Sequence, residues 1–197
     1  MDPGLYDYSF MVDGEQVIDP SNPSVKPEMN PDTSLLEITT KTPLFYQWSD
    51  VPHGTVHLQS YFSESLKRLR RVRIYTPPGY ESGKGRYPVL YLLHGWGENE
   101  QGWHTQGHAD VILDNLIADK KATPMIIVMD NLNTAKPGED ASIFSARWLR
   151  PAPPPVARPA GAAGPGPGAP APALRGGLGG FTGAAFTEMM FTDLIPM

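Results

Sequence analysis

Two uninterrupted apolar runs stand out in the hydropathy pattern of the chain. Val89 to Leu93 is bounded by Pro88 and Gly95, and a similar run extends from Met125 to Met129. Such runs are typical of strands buried on both faces of a parallel sheet. Between them, residues 108–121 space their apolar side chains three and four apart, which predicts a helix. The order strand, helix, strand predicts a βαβ unit.

A polar or glycine-bearing turn follows each of these two strands. His94-Gly95-Trp96-Gly97 follows the first strand, and Asp130-Asn131-Leu132-Asn133 follows the second. Glycines let a turn present backbone N–H groups to a cavity. Open α/β sheets bind their ligands at the carboxyl ends of such strands. We therefore expect a binding site there, in which Asn131 and Asn133 either line the pocket or cap a turn.

Alternating patterns predict antiparallel pairs earlier in the chain. Residues 2–18 contain two short β-prone runs separated by Asp13-Gly14, a strong hairpin signal. This hairpin is interpreted as part of a small β-sandwich, or alternatively as a free hairpin that packs on the main domain. Residues 51–76 predict a second strand pair. The basic run Lys67–Arg73 favours the solvated face of an edge strand over an acidic-ligand patch.

The segment 151–180 differs from the rest of the chain in composition. It consists almost entirely of Pro, Ala and Gly and has no acidic residue. A segment of this composition buries too little apolar surface to offset its ordering entropy. It is interpreted as a disordered insertion or, alternatively, as a translated frameshift in GC-rich DNA. After it, residues 186–197 again show helical spacing.

Composition excludes several classes of function. The formal net charge of -5 argues against nucleic acid and anionic membranes as partners. Cysteine is absent, which excludes thiol catalysis and disulfides. His104 and His108 lie four residues apart, but the sequence suggests no third ligand, so neither a metal nor a cofactor is predicted. No apolar run is long enough for a membrane span, and no signal peptide is recognised.

The motifs together resemble a known family. The stretch Tyr87–Trp103 (YPVLYLLHGWGENEQGW), the following helix and the run MIIVMDNLN resemble feruloyl esterase-type α/β-hydrolases of carbohydrate esterase family 1, the esterase D-like group. Residues 2–27 are similar to the tail of the immunoglobulin-like CBM48-type module that precedes the esterase domain in many members. The resemblance implies an α/β fold, the N-terminal half of an α/β-hydrolase with a mostly parallel sheet, preceded by a partial β-sandwich.

The resemblance also implies a domain organisation. It divides the chain into the partial module (1–27), a linker (28–50), the N-terminal part of the hydrolase domain (51–150), the insertion (151–180) and the start of the helix before the nucleophile strand (181–197). In the family, a G-x-S-x-G nucleophile elbow follows that helix. No serine of this sequence lies in such a motif. No residue is therefore assigned as the catalytic Ser, Asp or His.

The site residues are implied by the same resemblance. The backbone N–H of Trp96 is expected to be one oxyanion-hole donor, and Gly95 is expected to form the oxyanion turn. Trp103 either stacks on an aromatic acyl group or caps the core. Together with Asn131 and Asn133 it is a candidate substrate-binding residue. His94 is expected to be a structural hydrogen bonder.

The implied function is that of a fragment of a serine carboxylic-ester hydrolase. Its partner would be a plant cell-wall polysaccharide ester of the feruloyl or acetyl xylan type, and the family implies a secreted or periplasmic location. The alternative is a non-catalytic carbohydrate-binding or interaction protein derived from such an esterase. A third possibility, a formylglutathione hydrolase or mycolyltransferase relative, is disfavoured by residues 2–27. The isolated chain is expected to be poorly soluble or molten.

Overall fold

The N-terminal region contains four short strands. The computed structural model describes residues 1–28, 31–95, 97–134 and 184–196. Its first strands are β1 (Gly4–Tyr8), β2 (Phe10–Val12), β3 (Glu15–Val17) and β4 (Ser34–Ile38). Strands β2 and β3 form an antiparallel hairpin across Asp13-Gly14, which have φ angles of 52° and 89°. Two positive φ values match the turn that two-residue hairpins favour, so the predicted hairpin is confirmed.

The segment predicted as a linker contains regular structure. Strand β4 lies in it and pairs antiparallel with β1, with Tyr6 opposite Leu36. The backbone of Leu35 also donates to Ser24 at 2.8 Å. Within this segment the chain therefore returns to pair with the N-terminal strands, and Leu35 of β4 is buried. The described strands form two separate two-stranded sheets, and the β-sandwich module stays a prediction.

A four-stranded mixed sheet forms the central layer. It contains β5 (Thr55–Ser63), β6 (Arg68–Thr76), β7 (Val89–Tyr91) and β8 (Ile126–Asp130), in the order β5-β6-β8-β7. Strands β7 and β8 are parallel, as predicted, whereas β5 with β6 and β6 with β8 are antiparallel. Among the described strands the sheet is thus not mostly parallel, because β5 and β6 form a hairpin with a short connection.

Strand β7 lies at the edge of this sheet and is not buried on both faces. Val89 and Leu90 are 45% and 41% exposed, although β8 is largely buried. The ladder to β8 continues beyond Tyr91, since the Leu92 N–H donates to the Val128 carbonyl at 2.9 Å. The apolar run identified a strand correctly. The prediction that β7 is buried on both faces is wrong, because β7 is the outermost of the described strands and has β8 on one side only.

Strand β6, in contrast to the prediction, is not an edge strand. It has β5 on one side and β8 on the other. Two of its buried residues, Arg70 and Val72, lie on one face, so one member of the basic run points into the protein. The prediction of a wholly solvated basic face is therefore wrong. The reason is that an inward charge needs a buried partner, which the strand's own sequence does not reveal.

Helices cover both faces of the sheet. They are α1 (Gly102–Thr105), α2 (Ala109–Ala118) and α3 (Ala184–Met189), the last followed by a π-helical turn at Met190–Leu194. On one face, Leu113 of α2 packs with Ile127 and Met129. On the other face, Val128 packs with Met189 and Leu194. Strand β8 thus alternates between two cores, as a central strand does.

The α3 segment is attached to the β5–β6 connection by Asp193. Its carboxylate accepts hydrogen bonds from the hydroxyls of Ser63 and Ser65 and from the N–H of Glu64. Burial acts to raise the pKa of Asp193, but these hydrogen bonds outweigh it and hold the pKa below its ordinary value. The predicted helix at this end is confirmed.

No helix in the described ranges is long and apolar enough to cross a membrane. Residues 151–180, interpreted from the sequence as an insertion, lie outside the described residues.

Candidate active site

The carboxyl ends of β7 and β8 lie side by side and are joined by His94. The buried imidazole accepts a hydrogen bond at Nε2 from the backbone N–H of Leu132 at 2.9 Å. Its other nitrogen, Nδ1, lies 2.7 Å from the carbonyl of Gly95. Because Nε2 accepts, the proton is on Nδ1 and is donated to that carbonyl. His94 therefore fixes the two turns relative to each other, which is the structural role expected of it.

Replacing His94 by alanine is expected to destabilise the fold by about 1–3 kcal/mol. The change leaves the buried N–H of Leu132 without its acceptor, which costs the desolvation of that group. The free energy of unfolding, measured by urea denaturation, tests this. His57→Ala is a matched control, since His57 is exposed and bonds the hydroxyl of Thr76. Equal losses in the two variants would contradict the assigned role.

Glu98 closes the glycine turn after β7. Its carboxylate accepts from the backbone N–H of Gly95 at 3.0 Å, and its own N–H donates back to the Gly95 carbonyl at 3.4 Å. Gly97 has a φ of +81°, in the left-handed region that favours glycine. Gly102 is favoured by packing and not by its backbone conformation, since a Cβ there would lie 2.9 Å from the Glu98 carboxylate. Trp96 lies outside the described residues, and its donor role stays a prediction.

Trp103 lies next to the same turn, on α1. Its indole N–H donates to the carbonyl of Leu93 at 2.7 Å, and its side chain remains partly exposed. Gly107 packs closely against the ring, because a Cβ there would lie 2.6 Å from it. The indole therefore anchors the end of β7 while part of it remains accessible. Both interpretations of Trp103, stacking and packing, are compatible with this arrangement.

Asn131 caps a turn and lines a cleft. Its side-chain oxygen accepts from the N–H of Asn133 at 2.9 Å, which forms an Asx turn. Its amide nitrogen donates to Glu100 at 3.2 Å. The residue lies in the wall of a cleft of about 230 Å³. Asn131 thus caps a turn and borders a cleft, whereas Asn133 contributes its backbone N–H and carbonyl to the loop. Their substrate-binding role stays a prediction.

A buried ion pair that the sequence interpretation missed supports this loop. The side chains of Arg70 and Asp130 are 3% and 1% exposed, and their charged atoms lie 3.2 Å apart. Arg70 also donates to the carbonyls of Asn131 and Asn133, the latter at 2.7 Å. The Tyr61 hydroxyl donates to Asp130 at 2.8 Å and accepts from Arg70 at 3.0 Å. Arg70 therefore sets the backbone of the loop after β8.

The electrostatics of this network follow from its burial. Burial raises the pKa of the Asp130 carboxyl, while Arg70 and the hydrogen bonds from Tyr61 and the Asn131 N–H act in the opposite direction. Burial and the charge of Asp130 raise the pKa of the Tyr61 hydroxyl. The hydroxyl therefore keeps its proton at neutral pH and continues to donate. One sequence signal pointed to Arg70: strand alternation from Val72 places residue 70 on the buried face.

His104 and His108, which lie four residues apart in the sequence, have separate surroundings in the structure. Nδ1 of His104 lies 3.2 Å from Asp110, and His108 precedes α2 with a φ of 48°. Across residues 1–28, 31–95, 97–134 and 184–196, no group of three His, Cys, Asp or Glu side chains could hold a metal ion.

Comparisons with known proteins support an esterase relationship. Residues 63–154 match the family described as "Putative esterase". Over 134 residues, 66% of the chain, it is 40% identical to "Endo-1,4-beta-xylanase/feruloyl esterase" of Xylanibacter ruminicola. The chain spans 18% of the length of that relative.

Solved structures of similar proteins include ferulic acid esterases. The CE1 ferulic acid esterase from Anaeromyces mucronatus is 30% identical, with a TM-score of 0.44, over 52% of this chain and 38% of that one. Another ferulic acid esterase is 36% identical, with a TM-score of 0.39, over 41% of this chain and 31% of that one. The CBM48-type tail stays a prediction. By sequence, residues 63–154 match the esterase family, and the predicted resemblance of the chain to feruloyl esterases is confirmed.

Proposed function

We propose that this chain is part of a serine carboxylic-ester hydrolase that acts on plant cell-wall polysaccharide esters of the feruloyl or acetyl xylan type. The observation that carries the proposal is the glycine turn after β7, held against the end of β8 by His94. Its flanks lie within the esterase match. In this proposal the chain is the N-terminal half of an α/β-hydrolase, and it supplies one side of the active site.

The proposed chemical role of the turn is to stabilise a negative charge. A serine attacks the ester carbonyl, a histidine removes the serine proton, and a tetrahedral oxyanion forms. The N–H of Gly95 is already bonded to Glu98, which makes it unsuitable as a donor to substrate. Trp96 is therefore the proposed donor. One such donor contributes about 3–4 kcal/mol to transition-state stabilisation.

The proposed substrate contacts lie next to this turn. The accessible part of the Trp103 indole is suited to stack on an aromatic acyl group such as ferulate. Asn131 is proposed to contact the sugar from the neighbouring loop. The Xylanibacter ruminicola relative, whose name combines a xylanase and a feruloyl esterase, supports a xylan-type substrate.

The domain organisation and location are parts of the same proposal. Residues 1–27 are proposed to be the tail of a CBM48-type module, with β4 of the 28–50 segment completing a strand pair with β1. Residues 51–150 and 181–197 are assigned to the hydrolase. Export from the cell follows from the proposed substrate, because a cell-wall polysaccharide is extracellular.

Turnover of methyl ferulate and 4-nitrophenyl acetate tests the proposal. The 197-residue chain is expected to show no turnover above background, because no serine of its sequence lies in a G-x-S-x-G motif. A chain extended by the downstream coding sequence, carrying such a motif, is expected to hydrolyse both esters. Efficient turnover by the 197-residue chain alone would contradict the assignment of the nucleophile.

The missing motif also favours a second candidate, a non-catalytic carbohydrate-binding protein. A pull-down with insoluble xylan separates the two candidates. Retention of the chain on xylan, with no turnover by the extended chain, would support the binding protein. Turnover by the extended chain would support the esterase.

A further inference from the structure

The N-terminal region reaches the candidate active site through residues 24–28. This segment runs along the start of β4. The Leu35 N–H donates to the Ser24 carbonyl at 2.8 Å, and the Lys26 N–H donates to the Thr33 carbonyl at 3.0 Å. Because β4 pairs with β1, the segment continues the backbone contacts of the N-terminal strands. By its hydrogen bonds it therefore belongs to the N-terminal region.

The last residue of this segment contacts the loop that follows the glycine turn. A single antiparallel β-bridge joins Glu28 to Glu98. Glu98 closes the turn, because its carboxylate accepts from the Gly95 N–H at 3.0 Å. A shift of the Glu28 backbone is therefore passed to Glu98 and, through its carboxylate, to Gly95.

The segment and the loop are not closely packed beside this bridge. They face each other across a cleft of about 340 Å³, with Pro27 and Pro31 on one side and Asn99 and Gln101 on the other. A gap of this size has no atoms to supply dispersion contacts between its two walls. Polar contacts therefore carry a larger share in holding Glu28 next to the loop.

Lys26 supplies such polar contacts. Its ammonium lies 2.8 Å from the carboxylate of Asp7, on β1, and 3.0 Å from the carboxylate of Glu28. The hydrogen bonds that it donates to Asp7 and Glu28 hold the pKa of Lys26 above its ordinary value, so the ammonium stays charged at neutral pH. Lys26 thus joins β1 to the residue that contacts Glu98.

We propose that Lys26 is a positioning residue for the glycine turn after β7. It holds Glu28 against Glu98 and so orders the turn from which the Trp96 N–H is proposed to bind the oxyanion. The inference rests on the proposed function, since it concerns the role of this turn in ester hydrolysis. It adds that the N-terminal region contributes to the reaction, although the esterase match begins at residue 63.

Kinetics of the extended, ester-hydrolysing chain test this role. Lys26→Met removes the charge and keeps a long side chain, and it is expected to lower kcat for methyl ferulate about three- to tenfold while KM changes less than about twofold. The loss is partial because His94 and Glu98 still hold the turn. Lys26→Arg keeps the charge and should retain about half of kcat or more. Lys41→Met, at an exposed lysine of the N-terminal region, is the matched control and should leave both constants unchanged.

A double variant shows whether Lys26 acts through Glu28. Glu28→Gln is expected to lower kcat by a factor similar to that of Lys26→Met. Because the two residues form one path, the combined variant should lower kcat little further. Losses that multiply in the double variant would show that the two side chains act separately, and would overturn the proposed path.

Amide hydrogen exchange tests the same path without ester turnover. In the 197-residue chain, followed by NMR, Lys26→Met is expected to increase the exchange rate of the Gly95 N–H about threefold or more. The amides of β8, which lies in the core of the sheet, should exchange at an unchanged rate. Equal acceleration at both places would indicate a general loss of stability and would contradict a positioning role.

The outcomes separate this inference from the proposed function. An unchanged kcat in Lys26→Met, or an equal loss in Lys26→Arg, overturns the inference while the esterase proposal still holds. Absence of turnover by the extended parent chain contradicts the esterase proposal instead. The exchange rate of the Gly95 N–H then decides whether Lys26 orders the turn.

Discussion

Replacing Trp96 by proline is expected to lower kcat of the extended, ester-hydrolysing chain by about 100- to 1,000-fold. Proline has no backbone N–H, so the change deletes the proposed oxyanion donor. Because this donor acts on the charge that develops in the transition state, kcat should fall much more than KM changes. Steady-state kinetics with methyl ferulate measure both constants.

Trp96→Phe is the matched control for this experiment. It alters the side chain and keeps the N–H, so kcat is expected to stay within a few-fold of the parent value. Thermal denaturation of both variants shows whether proline has disturbed the fold, since it also restricts the backbone of Gly95. An equal loss of kcat in the two variants would assign the effect to the indole and not to the main chain.

Arg70→Ala is expected to cost about 3–5 kcal/mol of folding stability. It would leave the Asp130 carboxylate buried without its counter-charge, and it would remove the donors to the carbonyls of Asn131 and Asn133. Chemical denaturation measures the loss. Exposed Lys67→Ala is the control and should cost less than about 1 kcal/mol.

A double replacement separates the ion pair from its geometry. Arg70→Met combined with Asp130→Leu removes both charges together, and much of the stability lost in Arg70→Ala is expected to return. The loop after β8 would still lack the guanidinium that binds its carbonyls. Ester turnover in the extended chain should therefore recover less than stability does. A double variant as unstable as Arg70→Ala would show that packing, and not the uncompensated charge, dominates.

Local patterns predicted the elements that depend on neighbouring residues. The apolar run at Met125–Met129, the helical spacing after His108 and the Asp13-Gly14 turn each encode their structure within a short window. The bond between His94 and Leu132 spans 38 residues, and sequence spacing gives no sign of it. Because such contacts are long-range, the sequence indicated which two turns form the candidate site but not the hydrogen bond that joins them.

Arg70 illustrates why the sequence did not reveal the buried ion pair with Asp130. A run of five basic residues within seven positions is ordinarily solvated, and that expectation held for Arg71 but not for its neighbour. Strand alternation placed Arg70 inward, and an inward arginine demands a buried acid. The acid, Asp130, lies 60 residues away on a strand that was recognised only by its apolar run. Predicting the ion pair would have required combining the alternation of β6 with the acidic residue at the end of β8.

The open edge of β7 has a consequence for how this chain folds in solution. Val89 and Leu90 are exposed on a strand whose outer side has no partner among the described strands. Such an edge offers backbone hydrogen bonds and apolar surface to any extended peptide. Closure of the β7–β8 ladder within one chain is independent of concentration, whereas edge-to-edge capture between chains increases with it. The yield of monomer therefore depends on the dilution at which the polypeptide first collapses.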